Sequence, residues 1–155
     1  MADIATGAGV SRTALYHYFP GKEEVLQALV EDLHARVLSE ASEALQESRT
    51  LDEALTNLLN AKFGRTHVVI SESPHGTELV DSTHRLTGPA TRASDTAFHR
   101  LVVAALKRHG RAREADAVAD TLIAAAKGLM RSGEGYVSKP VFARRIRRLV
   151  TWVTK

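Results

Sequence analysis

Apolar positions in the first third of the chain recur every three or four residues. Val25, Leu26, Leu29, Leu33, Val37, Ala41 and Leu45 fall on one stripe, predicting a single long amphipathic helix from Lys22 to about Leu45. Thr50-Leu-Asp-Glu53 has the form of a capping box, so a new helix is expected from Leu51, with Leu55, Leu58, Leu59 and Phe63 on its apolar side. The pattern from Gly64 to Glu72 is less regular. Val68-Val69-Ile70 has strand propensity but no partner run, which predicts a helix extension or a buried connection. Ser73-Pro74 resembles an N-cap followed by proline at the first helical position, predicting a helix to about Leu86. Gly88-Pro89 opens another, which Gly110 ends, with Ala90, Ala97, Phe98, Leu101, Val102, Ala105 and Leu106 as its apolar side.

The last two predicted helices differ in texture. Between Glu114 and Met130, Val118, Leu122, Ile123, Ala126 and Leu129 are interleaved with Ala115, Ala119 and Ala125, small residues that allow close helix approach. After a Ser132-Gly-Glu-Gly135 loop, Phe142, Ile146, Leu149 and Val153 are spaced 4, 3 and 4 apart, a strict seam. The two helices are expected to pair antiparallel and to carry more apolar surface than one protomer needs. Periodicity does not separate a dimer seam from an ordinary core.

Ahead of the long helix lies a shorter pattern. Ile4, Ala5 and Ala8 share one helical face, Gly9 is placed to end that helix, and Ser11 is a good N-cap for a second helix from Arg12 to Tyr18. Leu15 and Phe19 point inward, and Pro20-Gly21 breaks the helix before Lys22 opens the next. This is the layout of a helix-turn-helix DNA reader. Arg12, Thr13, Tyr16 and His17 share the outward face. Arg12 is able to fork onto a guanine edge or a phosphate, and Thr13 to touch a base edge or a thymine methyl. Tyr16, His17 and Lys22 are able to donate to phosphate oxygens.

Asp-Ile-Ala, Ala-Gly-Val-Ser and Ala-Leu-Tyr-His-Tyr-Phe-Pro-Gly-Lys-Glu, over about Met1 to Leu29, resemble the DNA-binding domain of the TetR family of bacterial transcriptional regulators. The resemblance implies an all-helical homodimer, usually a repressor released by a small ligand. It places the DNA contacts at Arg12, Thr13, Tyr16, His17 and Lys22, with Ala14 and Tyr18 close to the backbone. It assigns the last two helices to a dimer interface, here Val118, Leu122, Ala126, Leu129, Phe142, Ile146, Leu149 and Val153. Family members carry a further helix before this point, which covers the buried side of the two short ones. Its absence from the sequence leaves Ile4, Leu15 and Phe19 short of partners. Either upstream residues belong to the protein or the reader is a weakened one, and the first is the expectation.

Composition narrows the rest. At 155 residues with 44% apolar and 5% aromatic content, packed helices are favoured over sheets. There is no cysteine, hence no disulfide framework, zinc finger or thiol chemistry. No signal peptide or apolar run of spanning length is visible, which leads to the expectation of a cytoplasmic protein without a membrane partner. The formal charge of +3 is mild, and residues 1–22 hold only Arg12 and Lys22 against Asp3. The strongest basic run is Lys139, Arg144, Arg145, Arg147, Arg148 and Lys155, of which Arg144, Arg145, Arg147 and Arg148 are read as the solvated flank of the seam. No phosphate-binding glycine loop or nucleophile elbow is present, so no enzyme and no cofactor are expected. Phe63, His67, His84, Phe98, His99 and Met130 are candidates to line an effector pocket, although each is also explained as core or surface. His67, Glu72, His75, Glu78, Asp81 and His84 lack metal-ligand spacing, and no metal is expected.

The expected architecture is all-α. A helix-turn-helix DNA-binding domain with its linking helix would occupy residues 1–45, and a TetR-like ligand-binding and dimerisation domain residues 46–155. The expected function is a ligand-responsive regulator, with repression as the expected sign, reading half-sites of a double-stranded DNA operator as a homodimer. The alternative is a dimeric helical ligand- or protein-binding module without DNA activity, which gains if Met1 is the true start.

Overall fold

A computed structural model describes residues 1–65, 67, 88–133 and 135–155. Its helices are α1 (Ala2–Gly7), α2 (Arg12–Tyr18), α3 (Lys22–Glu47), α4 (Leu51–Leu59), α5 (Gly88–Arg108), α6 (Ala115–Leu129) and α7 (Lys139–Thr154). A π-helical turn, Asn60–Gly64, continues α4, and a single 3-10 turn, Ala112–Glu114, leads into α6. Among the described residues the architecture is all-α apart from one short hairpin, in which Arg131–Ser132 pairs antiparallel with Gly135–Tyr136. The sequence pattern presents that stretch as a loop. The predicted helix over 74–86 and the 68–70 run lie outside the described residues.

α4 is the centre of the body. Ala54, Leu55, Leu58 and Leu59 are each wholly buried, and α3, α5 and α7 pack around them. Full burial of a leucine contributes about 1.5–3 kcal/mol, whereas an exposed ion pair such as Asp32–Arg36 contributes about 0–1 kcal/mol. Apolar packing on α4 therefore dominates the stability of the body. The predicted capping box forms with one change of partner. Thr50 Oγ1 accepts from Glu53 N at 3.2 Å, but the Glu53 carboxylate accepts from Arg49 N at 2.9 Å, one residue before the cap.

The widened π turn then aims Lys62 and Phe63 inward together, at 8% and 2% exposure. Such turns concentrate at functional sites. Phe63 meets Phe98 of α5 edge to face, with ring centroids 5.9 Å apart. α5 ends as its sequence predicts: Gly110 takes φ +83°, and Arg111 N donates to Leu106 O at 2.9 Å.

The seam on α7 is rotated from its predicted line. Phe142, Ile146 and Val150 are buried at four-residue spacing, while Leu149 and Val153 lie half-buried at the edge of that stripe. The reason is that α7 packs on α4 and the π turn as well as on α6. Leu122 and Ala126 of α6 are likewise wholly buried inside the protomer. Of the predicted interface set, Leu122, Ala126, Phe142 and Ile146 thus serve the protomer's own core, and Val118, Leu129, Leu149 and Val153 remain at its outer edge. Arg145 also departs from the expected solvated flank. Its guanidinium donates to Leu129 O at 3.2 Å and Arg131 O at 3.0 Å, closing the C-terminus of α6.

Candidate nucleic-acid interface and ligand cleft

The turn between α1 and α2 is built by local hydrogen bonds. Gly9 takes φ +67°, where any side chain would be strained, and this lets Gly9 N donate to Thr6 O and Val10 N to Ala5 O at 3.2 and 3.0 Å. Ser11 caps α2, its Oγ accepting from Ala14 N at 3.1 Å. Ala5 and Leu15 are buried at 3% and 6% exposure, so Leu15 is not short of partners. Ile4 and Phe19 are half-buried, and Val10 and Leu29 remain 46% and 60% exposed. Ser11→Ala is expected to cost about 0.5–2 kcal/mol, read as loss of protection at the first amides of α2 in hydrogen exchange. Unchanged exchange there would assign the turn to Gly9 alone.

Arg12, Thr13, Ala14, Tyr16, His17, Tyr18 and Lys22 are all exposed. The Arg12 guanidinium lies over the Tyr16 ring, 5.6 Å from its centroid, and His17 meets Tyr18 edge to face at 5.4 Å. Tyr16, one turn on from Arg12, thus restricts the guanidinium while leaving its donors in solvent. α2 contains no acidic residue. The face can offer a planar cationic fork, hydroxyl donors and an imidazole to a groove and its flanking phosphates.

Among the described residues, the candidate effector residues do not converge on one cavity. Phe63 and Phe98 are core side chains. His67 is buried, stacked on Phe142 at 5.7 Å and edge-on to Tyr136 at 6.0 Å. Met130 is half-buried against the core, and His84 lies outside the described residues, as do Glu72, His75, Glu78 and Asp81. Phe98 and His99 do line an open cleft of about 390 Å³ between α5 and α6, together with Lys62, Asp95, Ile123 and Lys127. A second cleft of about 460 Å³ lies between α3, the π turn and α7, beside an ion pair of Arg65 with Glu40.

Sequence reasoning missed the charged floor of the first cleft. Lys62 Nζ donates to Asp95 Oδ1 at 2.6 Å and lies 4.9 Å from the Phe98 centroid, while Asp95 Oδ2 is 3.6 Å from Lys127 Nζ. A lysine at a helix position with a phenylalanine beside it gave no sequence signal, because only the π turn brings it inside. Burial pushes the Asp95 carboxyl up, but the Lys62 hydrogen bond and charge, aided by Lys127, outweigh it and hold the group below its ordinary 3.8. On α3, burial and the nearby Lys62 charge push His34 below its ordinary 6.5 against the smaller pull of Asp95, and its Nδ1 has no hydrogen-bond partner among the described residues.

These shifts set two pH windows. Unfolded chains bind more protons at His34 than folded ones, so stability is expected to fall as pH drops from about 6.5 towards the folded value. The Asp95 contribution is present above 3.8 and is lost as pH falls through its lower folded value. His34→Gln should flatten the melting temperature between pH about 7 and 5, since it removes the titrating group. An unaltered pH profile would exclude His34 as its source.

Geometry and chemistry together define a helix-turn-helix protein with a helical body. Residues 1–29 match the family model described as bacterial regulatory proteins, tetR family. That segment is similar to the DNA-binding part of this family. Over 44 residues it is 50% identical to the HTH-type transcriptional regulator EthR of two Mycobacterium tuberculosis strains and of Mycobacterium bovis, a match covering 28% of this chain and 18% of theirs. The chain therefore matches about a fifth of the length of these relatives. The whole fold is similar to the crystal structure of a candidate transcriptional regulator from Streptomyces coelicolor A3(2), with a TM-score of 0.51 and 20% identity over 96% of this chain and 84% of that one. No helix among the described residues is long and apolar enough to cross a membrane.

Proposed function

We propose that the protein is a ligand-responsive DNA-binding regulator that reads operator half-sites as a homodimer, with repression as its sign. The observation that carries this reading is the outward face of α2, where Arg12 is braced on Tyr16 with His17, Tyr18 and Lys22 beside it. Residues 1–45 are the DNA-binding unit and its linking helix, and residues 46–155 the ligand-binding and dimerisation unit. The partner protomer meets the outer edge of α6 and α7, at Val118, Leu129, Leu149 and Val153. Trp152, 67% exposed with Arg148 over its ring at 5.0 Å, extends that edge. Aromatic residues and arginine are enriched in such contacts.

α3 leaves the reader and packs on α5 in the body. A ligand that favours one setting of α3 changes the separation of the two readers and hence their fit to the operator. Selection of duplexes from a random-sequence pool, with sedimentation of the free protein, tests the reading. Enrichment of two-fold-related half-sites, affinity falling steeply with salt, and a dimer are expected. A dimer that enriches no sequence supports instead the dimeric helical ligand- or protein-binding module without DNA activity.

A further inference from the structure

The cleft between α5 and α6 has an order of charge along its length. Asp116, Asp120, Ile123 and Lys127 line it from α6, and their spacing of four, three and four residues puts them on one stripe of that helix. Two contacts fix the register of α5 against this stripe: Asp95 reaches Lys127 at 3.6 Å, and His99 Nε2 reaches Asp120 at 3.1 Å. One end of the cleft is therefore cationic, with Lys127 and the nine-tenths buried Lys62 around Asp95. The other end is acidic, with Asp116 and Asp120. Between them the lining is apolar at Ile123, and the Phe98 side chain is wholly buried. From Asp120 to Lys127 the helix advances ~10 Å.

We propose that this cleft binds a small molecule with an anionic group at one end, an amine at the other and an apolar chain between. The ligand's acid group is received by the ammonium of Lys127, which keeps donors beyond its contact to Asp95, and by Lys62 at the floor. Its amine is received by Asp120 and Asp116. The chain lies on Ile123. A ligand of one sign leaves one end of the cleft unmatched, and a neutral one leaves both. The inference rests on the proposed ligand response, to which it adds the chemical class of the effector.

The test uses titration calorimetry on the full chain with three probes: ω-aminooctanoate, octanoate and octylamine. The two-ended probe is expected to bind at least about tenfold tighter than either one-ended probe, equivalent to about 1.4 kcal/mol. Lys127→Ala should bring ω-aminooctanoate down to the level of octylamine and leave octylamine unchanged. Asp120→Asn should bring it down to the level of octanoate. Both side chains are more than half exposed, so neither variant threatens the fold. No binding by any probe, equal binding by all three, or a loss in each variant that is the same for all three probes would overturn the inference. Salt-dependent duplex binding measured on the same samples separates the two claims. Probe binding without duplex binding would leave the cleft assignment standing and remove the regulator, and duplex binding without probe binding would do the reverse.

Discussion

Phe98→Ala is expected to lower the unfolding free energy by about 3–5 kcal/mol, the largest loss from a single truncation in the body. Phe98 is wholly buried on α5, meets Phe63 edge to face at 5.9 Å, and has the Lys62 ammonium 4.9 Å from its centroid. Truncation removes more than apolar area. It opens a cavity between α5 and the π turn, and it takes from a buried ammonium the ring face that helps to hold it there. Against a total near the low end of the typical range of about 5–15 kcal/mol, such a loss leaves a measurable unfolded fraction at ambient temperature. Phe98→Leu fills most of the space and should cost far less. Urea unfolding followed by circular dichroism gives both values. A Phe98→Ala loss under about 1 kcal/mol would mean that the site collapses around the missing ring.

Periodicity was enough to read the helices, because each buries one stripe. Lys22–Glu47, Gly88–Arg108 and Ala115–Leu129 lie within two residues of their predicted bounds. The ends were legible for a separate reason. Gly9, Ser11, Thr50 and Gly110 act through bonds within a few residues of chain, and such bonds are written locally.

What depended on the packing of distant elements was not legible. The seam of Phe142, Ile146, Leu149 and Val153 has coiled-coil spacing, yet α7 rests on α4 as well as α6, and its buried stripe shifts to include Val150. The Lys62–Asp95 pair joins residues 33 apart through a π turn that has no sequence signature. Arg145 sits among four arginines of the same composition, and only the nearby end of α6 distinguishes it. The exposed positions of α2 were legible, since Leu15 and Phe19 fix which side faces in. The contact of Arg12 with Tyr16 follows from their four-residue spacing.

That contact frames the prediction with the largest effect on DNA. Arg12→Ala is expected to cost about 1–3 kcal/mol at each half-site, and so about 2–6 kcal/mol for a two-fold operator. Arg12 is exposed and lies over the Tyr16 ring, so the melting temperature should hold while affinity falls. Arg12→Lys separates the two roles of the side chain. Lysine keeps the charge and the counterion release but loses the planar fork. If Arg12 reads a guanine, the lysine variant keeps the salt dependence and tolerates substitution of that base. If Arg12 only neutralises a phosphate, lysine restores nearly full affinity with the sequence preference intact. Tyr16→Phe keeps the ring under the guanidinium and removes the hydroxyl, so any loss it shows belongs to a phosphate contact of its own. Gel-shift titrations of the three variants at two salt concentrations resolve these outcomes. Unchanged affinity in Arg12→Ala would show that α2 does not enter the groove by this face.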